Sequence, residues 1–376
     1  MAAKHSARPR FRMPQGFLGY LLLVTLIVST VWVAFTQSSS QAVGGNLTVS
    51  NPQTGPGGFG VANGEPFAIQ PVLTVSDGGT ATVSCSVDNG ATVSVSHNIG
   101  GVSSDSLTNI EGIKGSTNAS NNLVGNNQNN TLIGGDLTDI IKGVSGNNYL
   151  NGGAGIDTIY AGTGSDTIIG GSADANWLYY TDVLGANVNV NLKTGIATYG
   201  TSTDTISQIR NLQMGNGTNT VEGNSDANSF VGGTGTDTLS YSGSSNVVTF
   251  NVTSAGAGTS TGDGSDTFVN FENYTLSSNA DTVNLSAVFG STIDGGALSD
   301  TASYSTVGSG TSLTVTVNSG NTSATVFDGT KTDTLKNIEK IIGGDGNDTF
   351  IVSNVSGINT LDGDGGTNTL QLSGSL

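Results

Sequence analysis

Aspartates and asparagines in this chain fall at intervals of nine. Residues 115–168 divide into GSTNASNNL, VGNNQNNTL, IGGDLTDII, KGVSGNNYL, NGGAGIDTI and YAGTGSDTI. One Asx position recurs as Asn121, Asn130, Asp139, Asn148, Asp157 and Asp166. The column resumes as Asn219, Asn228 and Asp237, then Asp281, Ser291 and Asp300, then Asp348, Asn359 and Asn368. Asp136 and Asp345 each stand three places before a column aspartate. Two chemistries suit such a column. Closely spaced carboxylates attract cations. Asx side chains in tight turns also hydrogen-bond their own backbone, with no ion involved. The asparagines favour the second chemistry, and the aspartates leave both open.

No catalytic constellation accompanies them. There is no G-x-S-x-G elbow and no HExxH, His5 and His97 lie far apart, and Cys85 is the only cysteine. This argues against a zinc site, a disulfide framework and nucleophile chemistry. Glycosidase-type carboxylate pairs are compatible with a solenoid, yet almost every aspartate is accounted for by the repeat. The expectation is a protein without enzymatic activity.

A hydrophobic residue follows each column position by two: Leu123, Leu132, Ile141, Leu150, Ile159 and Ile168. Nine residues are too few for a helical hairpin. They fit a turn of roughly six residues and a strand of roughly three, so two repeats close one coil of a parallel β-solenoid. Repeat n then stacks on repeat n+2, and Ile141 and Ile159 share an inward ladder. The 57 glycines serve turns that visit positive φ. Hydrophobic residues make up 35% of the chain, below the usual ~45–50%. A core that thin depends on stacking between neighbours and on its end caps.

A longer period overlies the nines. Asn176, Asp237, Asp300 and Asn368 open similar words, NWLYYT, DTLSYS, DTASYS and NTLQLS. A second word recurs as DSLTNIEGI, DTISQIRNL, DTFVNFENY and DTLKNIEKI, beginning at Asp105, Asp204, Asp266 and Asp333. Glu111, Glu272 and Glu339 belong to it, which points to a structural role. Each block therefore reads as a hairpin-like stretch, such as NVNVNLKTGIATYG, feeding a few nonapeptide turns. Residues 43–101 differ: their strands alternate between turn signals at Asp77-Gly78-Gly79 and Asp88-Asn89-Gly90. GEPFAIQPVLTVSD resembles the opening strands of bacterial surface Ig-like modules. The segment is short for a sandwich of about 100 residues.

The words GGAGIDTIY (152–160), GGTGTDTLS (232–240) and GGDGNDTFI (343–351) match G-G-x-G-x-D-x-U-x. AGTGSDTII lacks the first glycine, and GGDLTDIIK and GGALSDTAS lack the fourth-position one. Residues 105–376 thus resemble the hemolysin-type RTX calcium-binding repeat in a degenerate form, of the bacterial surface or adhesin kind. The resemblance implies a β-roll with Ca²⁺ between turns n and n+2, held by sixth-position aspartates and turn carbonyls. Ca²⁺ takes 6–8 oxygens, and carboxylate number tunes its affinity. The implied ligands are Asp139, Asp157, Asp166, Asp237, Asp281, Asp300 and Asp348, with Asp136 and Asp345 as additions. Pairing two repeats apart joins two carboxylates at Asp139/Asp157 and at Asp281/Asp300. The Asp139/Asp157 turn is expected to be the strongest.

The N-terminus carries Lys4, Arg8, Arg10 and Arg12, and the first acid is Glu65, so the body is more acidic than the net charge of −17. Such a body repels nucleic acid. The run Gly16–Phe35 holds no charge over 20 residues, enough to cross a bilayer. It reads as a signal anchor or a cleavable signal peptide, with a pilin-like leader as a weaker option, and each implies export.

The expected fold is all-β. Residues 1–42 form a signal peptide or signal anchor with one hydrophobic helix, and residues 43–101 a small Ig-like segment. Residues 102–175 form a nonapeptide β-roll, and residues 176–376 three RTX-like blocks of roughly 60 residues. The expected protein is extracellular or at the cell surface, calcium-binding, and structural or adhesive. Its partners would be a glycan, a protein or itself, and a membrane only through the N-terminal segment. The alternatives are the non-catalytic RTX-like part of a secreted polysaccharide-modifying or other hydrolytic enzyme, or an ice-binding or S-layer-type solenoid. Irregular turn positions (Asn126, Asp136, Val144, Ala154, Thr163) speak against ice.

Overall fold

The computed structural model describes residues 111–115, 117, 120–173, 175–318, 323–353, 358 and 360–373, and before them the backbone of six short strands. Every regular element among these residues is a strand. Successive strands alternate between two sheets, as a two-repeat coil requires. In the first sheet Asn121–Val124, Ile140–Lys142, Thr158–Tyr160 and Trp177–Tyr179 pair in parallel, each one coil beyond the last. In the second, Gly112–Lys114, Thr131–Gly135, Tyr149–Gly153 and Thr167–Ile169 do the same.

The register follows the repeat. Ile141 faces Leu123 on one side and Ile159 on the other. Leu150 lies between Leu132 and Ile168. All six are fully buried, each worth roughly 1.5–3 kcal/mol of apolar burial. Their strand neighbours point outward, as the period of two demands.

The longer blocks are three-stranded antiparallel meanders rather than hairpins. The first runs Asn189–Asn191, Ile196–Tyr199, Ser202–Ser207 and lies in the second sheet. The next, Thr249–Ser254, Ala257–Gly262, Gly264–Val269, lies in the first sheet. The last, Thr314–Val317, Ser323–Phe327, Thr332–Lys336, returns to the second. An odd number of strands leaves the chain running as a single strand would, so coiling resumes without reversal. Each chain reaches ahead and folds back. Ser202–Ser207 pairs in parallel with the preceding Thr167–Ile169, and Asn189–Asn191 with the following Thr220–Glu222. The meanders widen the core with rings: Phe250 stands 5.3 Å from Tyr241, 5.4 Å from Tyr274 and 5.8 Å from Phe268 between centroids.

The ladders run from Leu47–Ser50 to Thr369–Leu372 in the second sheet, and from the hairpin Thr92–Asn98/Val102–Thr108 to Thr360–Asp362 in the first. No pairing among the described residues joins the two ends of either sheet, so both are open, and the coils before and after residue 176 stack as one solenoid. Of the Ig-like segment, Leu47–Ser50, Val72–Val75 and Thr92–Asn98 extend these sheets, Val72–Val75 pairing with Gly112–Lys114 and Thr92–Asn98 with Asn121–Val124, whereas Thr82–Cys85 lies in a separate two-stranded sheet. The remainder of that segment lies outside the described residues. So does the apolar run up to residue 32, whose last residues enter strand Val33–Thr36, paired with Thr82–Cys85.

Candidate metal centres in the Asx turns

The column residues form a ladder of their own. Each donates its backbone N–H to the side-chain oxygen one coil onward: Asn121 to Asp139 (2.6 Å), Asp139 to Asp157 (2.8 Å), Asn148 to Asp166 (2.6 Å) and Asp281 to Asp300 (2.7 Å). The n to n+2 pairing is therefore a direct contact. One carboxylate oxygen, Oδ1, is committed to it, and the role of each turn depends on Oδ2.

Two kinds of turn differ in Oδ2. In closed turns the second residue's N–H donates to it, from Gly135 to Asp139 (2.5 Å), Ser277 to Asp281 (2.7 Å) and Gly344 to Asp348 (2.8 Å). This is the ordinary capped Asx turn. In open turns the second and fourth residues are left-handed. The φ values are 101° and 95° at Gly153 and Gly155 before Asp157, and 95° and 71° at Gly296 and Leu298 before Asp300. Gly162 and Gly164 before Asp166, and Gly233 and Gly235 before Asp237, are left-handed as well. The second N–H no longer reaches the aspartate. Oδ2 of Asp157, Asp166, Asp237 and Asp300 is buried without any hydrogen-bond partner.

Asparagine shows what surrounds that atom. Asn148 occupies an open turn, with Val144 and Gly146 at φ 68° and 89°. Its Nδ2 donates to the carbonyls of Gly146 (3.0 Å) and Ser145 (3.4 Å). Asn368, in another, donates to the Gly365 carbonyl at 2.8 Å. An open turn thus directs carbonyl oxygens at the sixth side chain. Aspartate in that place sets acceptor against acceptor, which only a proton or a cation satisfies. Glycine is required at the head of either kind of turn: a Cβ on Gly152 would collide with both Asp157 Oδ2 and the Gly170 carbonyl oxygen, and one on Gly134 with Asp139 Oδ2 and the Gly152 carbonyl oxygen. The residues present therefore fit Ca²⁺, with oxygens from one or two carboxylates and the rest from backbone. Among the described residues no three acidic, histidine or cysteine side chains converge on one point.

The electrostatics agree. Burial pushes Asp157, Asp166 and Asp300 up to about 7 and Asp237 up to about 6. Neighbouring acids add to this: Asp139 at Asp157, Asp204 at Asp166, Glu272 at Asp237, and Asp281 with Glu339 and Asp294 at Asp300. Asp139 is also raised, chiefly by burial.

The nine residues singled out from sequence thus divide. Asp157, Asp166, Asp237 and Asp300 have an unsatisfied oxygen. Asp139, Asp281 and Asp348 have both oxygens hydrogen-bonded, Oδ1 of the last two to the N–H of Val248 and Leu313. Asp136 and Asp345 are exposed at the turn rim.

Sequence reasoning missed that Asp204, Asp266 and Asp333 belong to the same ladder. They accept from the N–H of Asp166, Asn228 and Ser291, each at 2.8 Å. The signal was there: each is followed two places on by a core residue, Ile206, Phe268 or Leu335. Their Oδ2 atoms are filled by buried tyrosine hydroxyls, from Tyr180 (2.9 Å), Tyr241 and Tyr304 (2.9 Å). Those are the tyrosines of the NWLYYT, DTLSYS and DTASYS words. The meander aspartates are thereby closed to metal, unlike those of the open turns.

Comparison with known proteins follows the same pattern. A search of the curated proteins finds no match. The family model of the RTX calcium-binding nonapeptide repeat matches in four copies, at residues 116–150, 142–174, 215–248 and 338–353. These segments contain the open turns of Asp157, Asp166 and Asp237 and the closed turns of Asp139 and Asp348. At residues 116–174, 215–248 and 338–353 the chain carries RTX calcium-binding nonapeptide repeats.

Proposed function

We propose that the chain is an exported, surface-associated calcium-binding β-roll protein with a structural or adhesive and non-enzymatic role. Its calcium is held at the open turns of Asp157, Asp166, Asp237 and Asp300. The observation that carries this reading is the set of four buried carboxylate oxygens without a partner, in turns whose carbonyls bond an amide wherever asparagine stands instead. Export is supported by the uncharged run after a basic N-terminus, and an extracellular place by the RTX repeats themselves. Calorimetric titration of the full chain with CaCl₂ at pH 7.5 is expected to show binding tighter than about 1 mM, the weak end of extracellular calcium modules. Heat no different from dilution would remove the metal from this reading.

A second reading, binding to ice or another crystalline surface, is favoured by one observation. On the outer face of the second sheet, Thr220, Thr238, Asn273, Thr292 and Thr334 lie in register on successive strands. The same line continues into both flanking meanders through Thr198 and Thr325. It lies on the strands, not at the irregular turn positions. Under this reading, seeded ice growth in the protein's presence is slowed, and Thr238→Lys with Thr292→Lys abolishes the effect. Unslowed growth would reject it.

A further inference from the structure

Two of the four open turns are the last before a meander and lie against the segment on which the chain re-enters the solenoid. There the next-coil partner is not a sixth-position Asx. Asp237 donates its N–H to Glu272 and Asp300 donates to Glu339, each at 2.8 Å. Both glutamates come from the N-[IF]-E word, outside the nonapeptide. Two places before each stands a left-handed asparagine, Asn270 (φ 59°) or Asn337 (φ 49°). Its carbonyl oxygen faces the glycine that opens the turn. A Cβ on Gly295 would collide with the Asn337 carbonyl oxygen and stand 2.7 Å from Asp300 Oδ2. On Gly232 it would collide with the Asn270 carbonyl oxygen. At Asp300 carbonyl and carboxylate oxygens thus meet over one glycine, and at Asp237 the carbonyl oxygen stands in the same place beside the aspartate side chain.

The first meander supplies a comparison within the same molecule. Arg210 occupies the glutamate position: its N–H points to the Asn176 carbonyl as those of Glu272 and Glu339 point to Asp237 and Asp300. Left-handed Gln208 (φ 57°) replaces the asparagine. The sixth residue is here Asn176, whose Nδ2 donates to the carbonyls of Ala173 (2.9 Å) and Gln208 (3.4 Å). The amide fills the corresponding place, and Arg210 pairs with Asp226 at 3.6 Å. Where that place is filled by an N–H, the partner position carries a cation. Where the turn holds an unpartnered carboxylate oxygen, 0% exposed at both Asp237 and Asp300, the partner position carries a second carboxylate.

We infer that Glu272 and Glu339 are calcium ligands from outside the repeat, each completing with Asp237 or Asp300 and the Asn270 or Asn337 carbonyl a divalent-cation clamp that fastens meander to coil. The inference rests on the calcium reading above and extends it to residues the nonapeptide does not contain. The ion bridges segments 35 and 39 residues apart in sequence, whereas an ion in a plain repeat bridges neighbouring coils. The Asp300 clamp also feels Asp281 and Asp294, so it is the tighter of the two.

The test is calorimetric titration of the full chain with CaCl₂, for the unsubstituted protein and for Glu339→Gln, Glu272→Gln and Glu222→Gln. Glutamine keeps the acceptor for the Asp300 or Asp237 N–H and removes only the charge, and circular dichroism verifies the fold. Glu222 accepts from Asn191 and Gly243, away from any open turn. Glu339→Gln and Glu272→Gln are each expected to weaken one site about tenfold, as carboxylate number tunes affinity, and Glu222→Gln to change nothing. The double substitution Asn176→Asp with Arg210→Glu is expected to add one site. If the protein binds calcium but Glu339→Gln and Glu272→Gln titrate like Glu222→Gln, the clamp is overturned and the repeat sites stand. If the unsubstituted protein binds no calcium, the broader reading falls first.

Discussion

Lowering the pH from 7.5 to 5 raises the melting temperature of the calcium-free protein, and saturating calcium removes the part of that gain that the open turns contribute. The usual direction for an acidic protein with ion-paired carboxylates is the opposite. The sign comes from buried aspartates: the four unpartnered ones, together with Asp204 and Asp266, pushed up to about 6, and Asp139 and Asp333, also raised by burial. Asp157, Asp166 and Asp300 titrate near 7 when folded, against 3.8 as the ordinary value. Asp237 titrates near 6. Between those pH values the folded state keeps the proton and the unfolded chain has lost it. Stability therefore falls as pH rises across the window from about 4 to about 7, by the linkage between bound protons and unfolding. Below about pH 4 both states are protonated and the gain stops. Calcium takes the proton's place between opposing oxygens, so its binding near pH 6 releases protons. Thermal melts with EDTA and with CaCl₂ at pH 5, 6 and 7.5 measure this directly. A calcium-free melting temperature that rises with pH would reject the assignment of unpartnered oxygens.

Replacing Asp157, Asp166, Asp237 and Asp300 together by asparagine stabilises the calcium-free protein and abolishes its response to calcium. Asparagine keeps Oδ1 for the incoming N–H and turns Nδ2 toward the turn carbonyls, as Asn148, Asn176 and Asn368 already do. Each substitution relieves an unsatisfied buried polar atom, a cost of about 1–3 kcal/mol. Asp139→Asn acts in the opposite sense. Both oxygens of Asp139 accept, from Asn121 and from Gly135, so an amide there faces an N–H and destabilises by about 1–3 kcal/mol. Melting curves of the two variants in EDTA distinguish open from closed turns. If both lose stability alike, the two kinds of turn do not differ as described.

Other fixed contacts show why the solenoid tolerates its interruptions. Lys193, at the turn of the first meander, donates to the Gly243 carbonyl at 2.8 Å and pairs with Asp263 at 3.2 Å. Tyr199 of the same meander reaches back to the Gly164 carbonyl at 2.6 Å. Neither depends on an ion, so calcium is expected to tighten the coils rather than create the whole fold.

Most of the architecture is legible in the chain itself. The nine-residue spacing of Asx and hydrophobic residues determines the coil, the two sheets and the stacking of Ile141 on Ile159, because side-chain direction along a three-residue strand leaves a single inward position. The hairpin-like stretches mark the first two strands of each meander, and the DTISQIRNL-type words lie on its third, whose pairing with them the repeat does not reveal. That pairing follows from chain direction, since only an odd number returns the chain to its coil. What the sequence could not decide is which aspartates are unsatisfied. GGDGND carries every glycine of the motif, yet Gly344 caps Asp348 and closes the turn. GGALSD lacks one, yet Leu298 is left-handed and the turn of Asp300 is open. The difference lies in whether one N–H reaches Oδ2, and in what the next coil places opposite. That neighbour is 18 residues away for Asp139, 38 for Asp166 and 39, across a meander, for Asp300. A repeat motif records the local turn, and the ligand set of a stacked turn is completed by residues that only the tertiary fold brings beside it.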